Sequence, residues 1–146
     1  MRNRRNSRRG NALIEFALSF TILFPLLYGT FQFGYSFYLY NRLVNAVRSG
    51  ARYASVETYQ STTATPTTDF SDRVKNLVVY GDTAGGTTPI VPGLTTANIE
   101  VKAVFASNVP VRIVVSIKDY QIRALHNITL NTPVYWFTYM GRYAPA

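Results

Sequence analysis

The stretch RRGNALIEFALSF (residues 8–20) decides how the rest of the chain is interpreted. A run of arginines ends at Gly10, an apolar segment begins at Ala12, and one acidic residue, Glu15, lies inside that segment. From Phe16 to Tyr40 no residue is charged, and half of the phenylalanines and tyrosines of the chain fall in this window. Because a helix of about 20 apolar residues crosses a bilayer, the pattern predicts a membrane span at about residues 16–40.

The basic residues are concentrated at the N-terminus. Residues 1–10 hold five of the 15 lysines and arginines and no acidic residue, so they account for five of the eight net positive charges. Arginines on this side of a span are expected to stay in the cytoplasm while the C-terminal part is translocated. This distribution favours a topological signal over an arm that binds RNA or DNA, and no nucleic-acid partner is predicted. The absence of cysteine excludes disulfides and thiol-ligated metals.

Aromatic residues recur along the apolar segment at a mean step of about 3.7 residues, close to the helical repeat. They predict one aromatic stripe that contacts lipid or neighbouring helices, formed by Phe16, Phe20, Phe24, Tyr28, Phe31, Tyr35 and Tyr38. Pro25 lacks an amide hydrogen, so a kink or local melting is expected in the middle of the segment.

The segment that follows the span predicts a continuation of the same helix. Residues 11–55 would then form one long helix, and residues 56–146 a small extracytoplasmic domain, which makes the chain an α+β protein. Six residues give this second half one apolar face: Leu39, Leu43, Val47, Gly50, Ala51 and Ala54. Arg48 and Arg52, four positions apart, face either solvent or a partner.

The small domain is predicted to contain one short helix and an antiparallel sheet. TDFSDRVKNLVVYG (68–81) suggests an amphipathic helix that Thr68 or Asp69 caps and that buries Val74, Leu77 and Val78. Alternation of apolar and polar residues from 98 to 118 predicts two strands with Val109, Val111, Ile113, Val115 and Ile117 on the buried face, joined through residues 106–108. The segment 132–144 predicts a third strand or an exposed aromatic surface, with Trp136, Phe137 and Tyr139 expected to pack.

No catalytic, metal or cofactor site is predicted. Asp69, Asp72 and Asp82 lack the dense acidic loop of a calcium site, so capping and turn roles are expected for them. His126 is the only histidine, and no nucleophile motif accompanies it. We therefore expect a protein that is not an enzyme.

Glu15 needs an explanation, because a charged carboxylate in a bilayer costs about 3 kcal/mol on insertion scales. One explanation is that its side chain reaches the headgroups. The other comes from its surroundings: arginines, then Gly10, then polar Asn11, then an apolar helix with an acid five positions after the glycine. This arrangement resembles the processing site of type IV pilin-like proteins.

The resemblance implies that a membrane peptidase cleaves between Gly10 and Asn11 and removes the basic leader, residues 1–10. Glu15 would be the fifth residue of the mature chain, and its carboxylate would pair with the new α-ammonium group of an adjacent subunit. Removing one partner of a buried ion pair typically costs about 3–5 kcal/mol, so Glu15 is expected to act in assembly.

The stretch FQFGYSFYLYNRLVNAVRSGARYAS (31–55) extends the resemblance to the TadE-like minor pilins, or pseudopilins, of tight-adherence pili. The matching positions are Phe33, Gly34, Asn45, Ala46, Arg48, Gly50, Ala51, Arg52, Tyr53 and Ala54. The resemblance implies a structural subunit of pilus assembly in a bacterial inner membrane. Its implied partners are membrane lipid, other pilin subunits, a prepilin peptidase and a membrane platform with an ATPase. The alternative is a periplasmic binding or adhesin module on an uncleaved anchor, which would retain Met1 or Arg2 at its N-terminus.

Overall fold

The computed structural model describes residues 4–123, 127–128 and 133–145. The first element, α1, runs from Arg4 to Val56 over 53 residues. The predicted long helix is confirmed, and it begins seven residues before the predicted Asn11. Pro25 lies inside α1 with helix on both sides. Of the two expected outcomes, local melting is therefore wrong, because the missing amide hydrogen removes one hydrogen bond and leaves those of the neighbouring residues in place; the kink stays a prediction.

The C-terminal half of α1 supplies one side of the core. The predicted apolar face is buried: Leu39, Leu43, Val47, Gly50, Ala51 and Ala54 are all covered by the rest of the chain. This face contacts the second helix, α2 (Thr68–Tyr80), and two strands of the sheet. Their spacing places these residues on one side of the helix, so the hydrophobic effect can bury all of them against the rest of the domain at once.

The N-cap of α2 is Thr67, whose backbone is extended and whose side chain makes no capping hydrogen bond. The predicted caps, Thr68 and Asp69, are therefore wrong: both already lie inside the first turn. The helix ends at Gly81, which adopts the left-handed conformation at φ 81° and donates its N–H to the carbonyl of Leu77 at 3.0 Å. A glycine suits this position because it has no Cβ to clash there.

Four side chains of α2 are buried: Phe70, Val74, Val78 and Val79. Val74 and Val78 confirm the prediction, whereas Leu77 is only half-buried. Contacts with β1 as well as α1 bury a wider arc of the helix than its own periodicity indicates.

Strands β1 (Ile99–Ala106) and β2 (Val109–Ile117) form the predicted antiparallel hairpin. Ser107 and Asn108 make a two-residue turn, both with positive φ (51° and 61°). Such turns match the right-handed twist of the strands. The last residue of β1, Ala106, pairs with Val109 and so belongs to the strand and not to the turn.

A β-bulge in β2 changes which residues face the core. Val104 pairs with Arg112 but Phe105 pairs with Pro110, so Val111 has no partner in β1. The extra residue reverses the alternation on its turn side. Val109 and Val111 are 46% and 40% exposed, and Pro110 is buried instead. The prediction that both valines face the core is wrong, whereas the burial of Ile113, Val115 and Ile117 is confirmed.

The predicted third strand is β5 (Val134–Thr138), which pairs antiparallel with β2 and gives the sheet order β1-β2-β5. A separate two-stranded ribbon consists of β3 (Ile122–Arg123) and β4 (Asn127–Ile128). One face of the three-stranded sheet packs on the two helices. A long helix, a short helix and an antiparallel sheet make the protein α+β, as predicted.

The segment after β5 fastens the end of α1 to the domain. The hydroxyl of Tyr139 lies 2.8 Å from the backbone nitrogen of Tyr59 and from the carbonyl oxygens of Glu57 and Arg142. Met140 donates its backbone N–H to the carbonyl of Ser55 at 2.8 Å. Tyr139 is half-buried in these contacts, which confirms its predicted packing role, whereas the side chain of Trp136 lies outside the described residues.

Candidate functional site

The predicted processing signature lies near the N-terminal end of α1. Gly10, Asn11 and Glu15 are exposed on a continuous helix. A Cβ added to Gly10 would meet no atom within 4 Å, so no other part of the described chain packs against this position. Among the side chains that the structure describes, Glu15 takes part in no ion pair. Asn11 and Glu15 are four positions apart, which places them on the same side of the helix, about 6 Å apart along its axis.

The predicted aromatic stripe is present as stacked rings. The ring centroids of Phe16 and Phe20 are 5.9 Å apart, those of Phe20 and Phe24 5.2 Å, and those of Phe24 and Tyr28 6.3 Å. Higher on the helix, Tyr35 stacks on Tyr38 at 6.4 Å. Every one of these rings is exposed, so the stripe is a surface that other molecules can contact.

The motif block at residues 33–52 divides between the core and the surface. Ala46, Gly50 and Ala51 face the core. Gly50 lies directly against α2: a Cβ added there would come closer than 3.0 Å to Cγ2 of Val78. The lack of a side chain at Gly50 therefore allows α2 to approach α1 closely.

Five other motif residues lie on the surface, whereas Ala54 is buried and Tyr53 half-buried. Phe33, Gly34, Asn45, Arg48 and Arg52 are exposed. A Cβ on Gly34 would meet nothing within 4 Å, so the space beside it is open. The block therefore has two parts: one set of residues fixes the domain to the helix, and the other set stays accessible.

A cavity of about 320 Å³ lies beside this exposed set, between α1, the end of α2 and the following loop. Asn45 and Ser49 form its polar wall, and Leu77 and Ile90 its apolar wall. Arg42 lies at its margin and donates a hydrogen bond from Nη1 to the hydroxyl of Tyr38 at 3.3 Å. Sequence analysis missed this cavity, because Leu77 and Ile90 reach it only through the packing of α2 on α1.

Charged side chains of the domain pair with one another. Arg73 contacts Asp69 at 2.9 Å and Glu57 at 3.5 Å. The pKa of the Tyr53 hydroxyl is raised, mainly by burial and to a smaller extent by its hydrogen bond to Glu57. These contacts connect the end of α1 to the start of α2, so their role is structural.

Two of the three aspartates considered for metal binding, Asp69 and Asp72, lie on α2, and Asp82 follows the end of that helix. Asp69 pairs with Arg73, and Asp82 accepts a hydrogen bond from the backbone of Ala84 at 2.9 Å, which confirms its turn role. Within the described ranges no cluster of three or more metal-ligating side chains occurs. His126 lies outside those ranges.

Comparison with known proteins finds a family match within the N-terminal segment. The family model of TadE-like protein matches residues 10–52. No curated protein and no solved structure matches the chain. The matched segment contains the processing signature, the aromatic stripe and most of the motif block, and it is typical of TadE-like proteins of tight-adherence systems.

Proposed function

From the TadE-like segment at residues 10–52 we propose that this protein is a pilin-like structural subunit, a minor pilin or pseudopilin, that takes part in assembling tight-adherence pili. It is a single-pass protein of a bacterial inner membrane, with its arginines in the cytoplasm and its α+β domain on the other side. It acts by binding other subunits and not by catalysis. The observation that carries the proposal is the exposed, apolar segment of α1 at residues 12–31, with Glu15 as its only charged residue.

Assembly requires that something cover this helix. One helix in the described chain is long and apolar enough to cross a membrane, and its most apolar window is not buried within the protein. Lipid covers the exposed side chains before assembly, and the helices of neighbouring subunits cover them afterwards. Exposed aromatic rings suit both environments, because they bury a large apolar area against either.

Glu15 sets the register of the helices. Its carboxylate is exposed and can pair with a cation of another chain. After cleavage behind Gly10, the α-ammonium group of Asn11 on an adjacent subunit supplies one, so that neither charge stays uncompensated in apolar surroundings. A prepilin peptidase supplies the cleaved chain, and a membrane platform with an ATPase drives assembly with other pilin subunits.

The first test is the N-terminus of the mature protein. The full-length chain is co-expressed with a prepilin peptidase, recovered from membranes, and analysed by intact mass and N-terminal sequencing. We expect Asn11 as the first residue, and Gly10→Val, which adds bulk at the cleaved bond, should block processing. The matched control Gly34→Ala changes a glycine elsewhere on the helix and should be processed normally. Recovery of mature protein that still begins at Met1 or Arg2 contradicts the proposal and supports an anchored binding or adhesin module.

The second test addresses assembly directly. Glu15→Ala should greatly reduce incorporation into filaments, or co-purification with a partner pilin, while leaving membrane insertion intact. Asp72→Ala is the control: Asp72 is exposed on α2 and takes part in none of the salt bridges of the described chain. Equal incorporation of both variants would remove the role assigned to Glu15.

A further inference from the structure

The structure fixes where the domain begins to cover the long helix. Every side chain from Gly10 to Phe31 is exposed, apart from the intermediate Gly29. The first buried residue is Gln32, at 6% exposure, and one turn later Ser36 is 2% exposed. Ser36 donates its hydroxyl to the carbonyl of Gln32 at 2.9 Å. From Gln32 onward, therefore, one side of α1 belongs to the folded domain.

This boundary limits how much of α1 can lie in hydrocarbon. Loops and sheet edges do not occur facing lipid within the hydrocarbon core, because their backbone groups would lack hydrogen-bond partners. A domain that already covers Gln32 must stay outside that core. The residues that remain, 12–31, form 20 helical positions and span about 30 Å, which equals the thickness of the core.

We infer that the hydrocarbon-spanning segment is residues 12–31, and that the domain rests on the outer headgroups through an aromatic collar. The collar consists of Phe33, Tyr35, Phe37 and Tyr38, all exposed on the sides of α1 that the domain leaves open. This places the centre of the span near Ile22, about six residues below the centre of a span at 16–40. The inference rests on the membrane insertion proposed above and adds the depth and the lipid surface that the domain contacts.

The chemistry of the aromatic residues agrees with this depth. Below Tyr28 the stripe consists only of phenylalanine, whereas tyrosine occurs at positions 28, 35, 38 and 40. Tyrosine favours the membrane–water interface, where its ring contacts apolar groups and its hydroxyl contacts polar ones. The headgroup layer is about 5–7 Å thick on each side of the core, which corresponds to about four or five residues of helix. Phe33 and Tyr35 lie in that layer, and Phe37 and Tyr38 lie just above it, with side chains that lean toward the N-terminal end of the helix and so toward the layer.

The next charged side chain lies just above the collar. Arg42 donates a hydrogen bond to the hydroxyl of Tyr38 at 3.3 Å, and its guanidinium carbon lies 5.8 Å from the centre of the same ring. An arginine on the water side of an interfacial tyrosine can direct its charge toward lipid phosphates. At the opposite end, Glu15 lies only three residues, or about 4.5 Å, inside the inner edge of the core.

Single spin labels measure this depth, because the chain has no cysteine to remove. The full-length protein is reconstituted at high dilution in vesicles of phosphatidylethanolamine and phosphatidylglycerol. Each label reports its depth from its relative collision rates with oxygen and with a water-soluble nickel chelate. Asp72→Cys is the reference for a label in water. Six further variants each carry one cysteine at an exposed position of α1: Leu18, Ile22, Leu27, Phe33, Phe37 and Asn41.

We expect the deepest label at Ile22, headgroup depths at Phe33 and Phe37, and water exposure at Asn41. If Leu27 were the deepest, with Ile22 about 7.5 Å shallower, the span would be centred near residue 28 and this inference would be overturned. Strong dipolar broadening at Phe33 that persists on dilution would show a second copy on the collar, and would also overturn it. If the nickel chelate reached every label, the chain would not be inserted, and the proposed function itself would fail.

Discussion

Gly50 marks the closest approach of the two helices, and its replacement by alanine tests how the motif block supports the fold. A Cβ at this position would come closer than 3.0 Å to Cγ2 of Val78, a side chain that is completely buried. Valine is branched at Cβ and stiff at χ1, so it cannot swing aside. Gly50→Ala should therefore push α2 away from α1.

The expected net cost combines two opposing terms. Adding a methyl group to a well-packed core costs about 1–3 kcal/mol. Alanine in place of glycine favours the helix by about 1 kcal/mol. We therefore expect Gly50→Ala to lower the free energy of unfolding by about 0–2 kcal/mol, which leaves it about 1–3 kcal/mol less stable than a variant with the helical gain alone. Gly34→Ala carries the same helical gain without the clash, since nothing lies within 4 Å of its Cβ, and should not destabilise the protein.

A double-mutant cycle isolates the contact. Val78→Ala alone should cost about 2 kcal/mol, since it removes two buried methyl groups and leaves a cavity. In the double variant the new Cβ at position 50 enters that space, so the combined loss should be smaller than the sum by about 1 kcal/mol or more. Urea unfolding of the full chain in detergent micelles, followed by circular dichroism, measures each value. A Gly50→Ala protein as stable as Gly34→Ala, or additive losses in the cycle, would refute the steric argument.

Two further predictions concern the segment that fastens the end of α1. Tyr139→Phe should lower the free energy of unfolding by about 1–3 kcal/mol, because the backbone groups of Tyr59, Glu57 and Arg142 lose a shared hydrogen-bond partner. The control, Tyr143→Phe, also keeps its ring and should change the free energy of unfolding by less than about 0.5 kcal/mol. Urea unfolding measures both values. Burial raises the pKa of Tyr59 to about 12, so folding favours the neutral form of this side chain. Its contribution to the free energy of unfolding should be fully present below about pH 10, the pKa of an exposed tyrosine, and should be lost as the pH rises through about 12. In Tyr59→Phe the free energy of unfolding should decrease less over this pH range. A variant with the same alkaline profile as the wild type would assign the loss to other groups.

The long helix and the hairpin could be predicted because their signals are local. The apolar window and its 3.7-residue step describe α1 without reference to any other element, and alternation describes the two strands that include Val101 and Val115. The same local reasoning failed at Val109 and Val111. Their exposure depends on a bulge, which exists only in the pairing of β2 with β1.

The candidate site shows the same division. The positions of Gly10 and Glu15 relative to the apolar segment are properties of the chain order, so sequence alone placed them at one end of one helix. Which motif residues stay accessible depends on where the domain packs: Ala46 is buried, whereas its neighbour Asn45 is exposed beside a cavity. The cavity itself requires Leu77 and Ile90, which lie far from Asn45 along the chain.

The sequence alone determined that this protein has a long apolar helix with a basic N-terminus and an α+β domain after it, because helical periodicity, strand alternation and charge are properties of neighbouring residues. Only the tertiary structure decided that Gly50 meets Val78, that Tyr139 fastens the end of α1, and that the domain covers the helix from Gln32 onward. Each of these contacts joins residues distant in the chain, and each depends on how side chains fill a shared core, which no local pattern encodes.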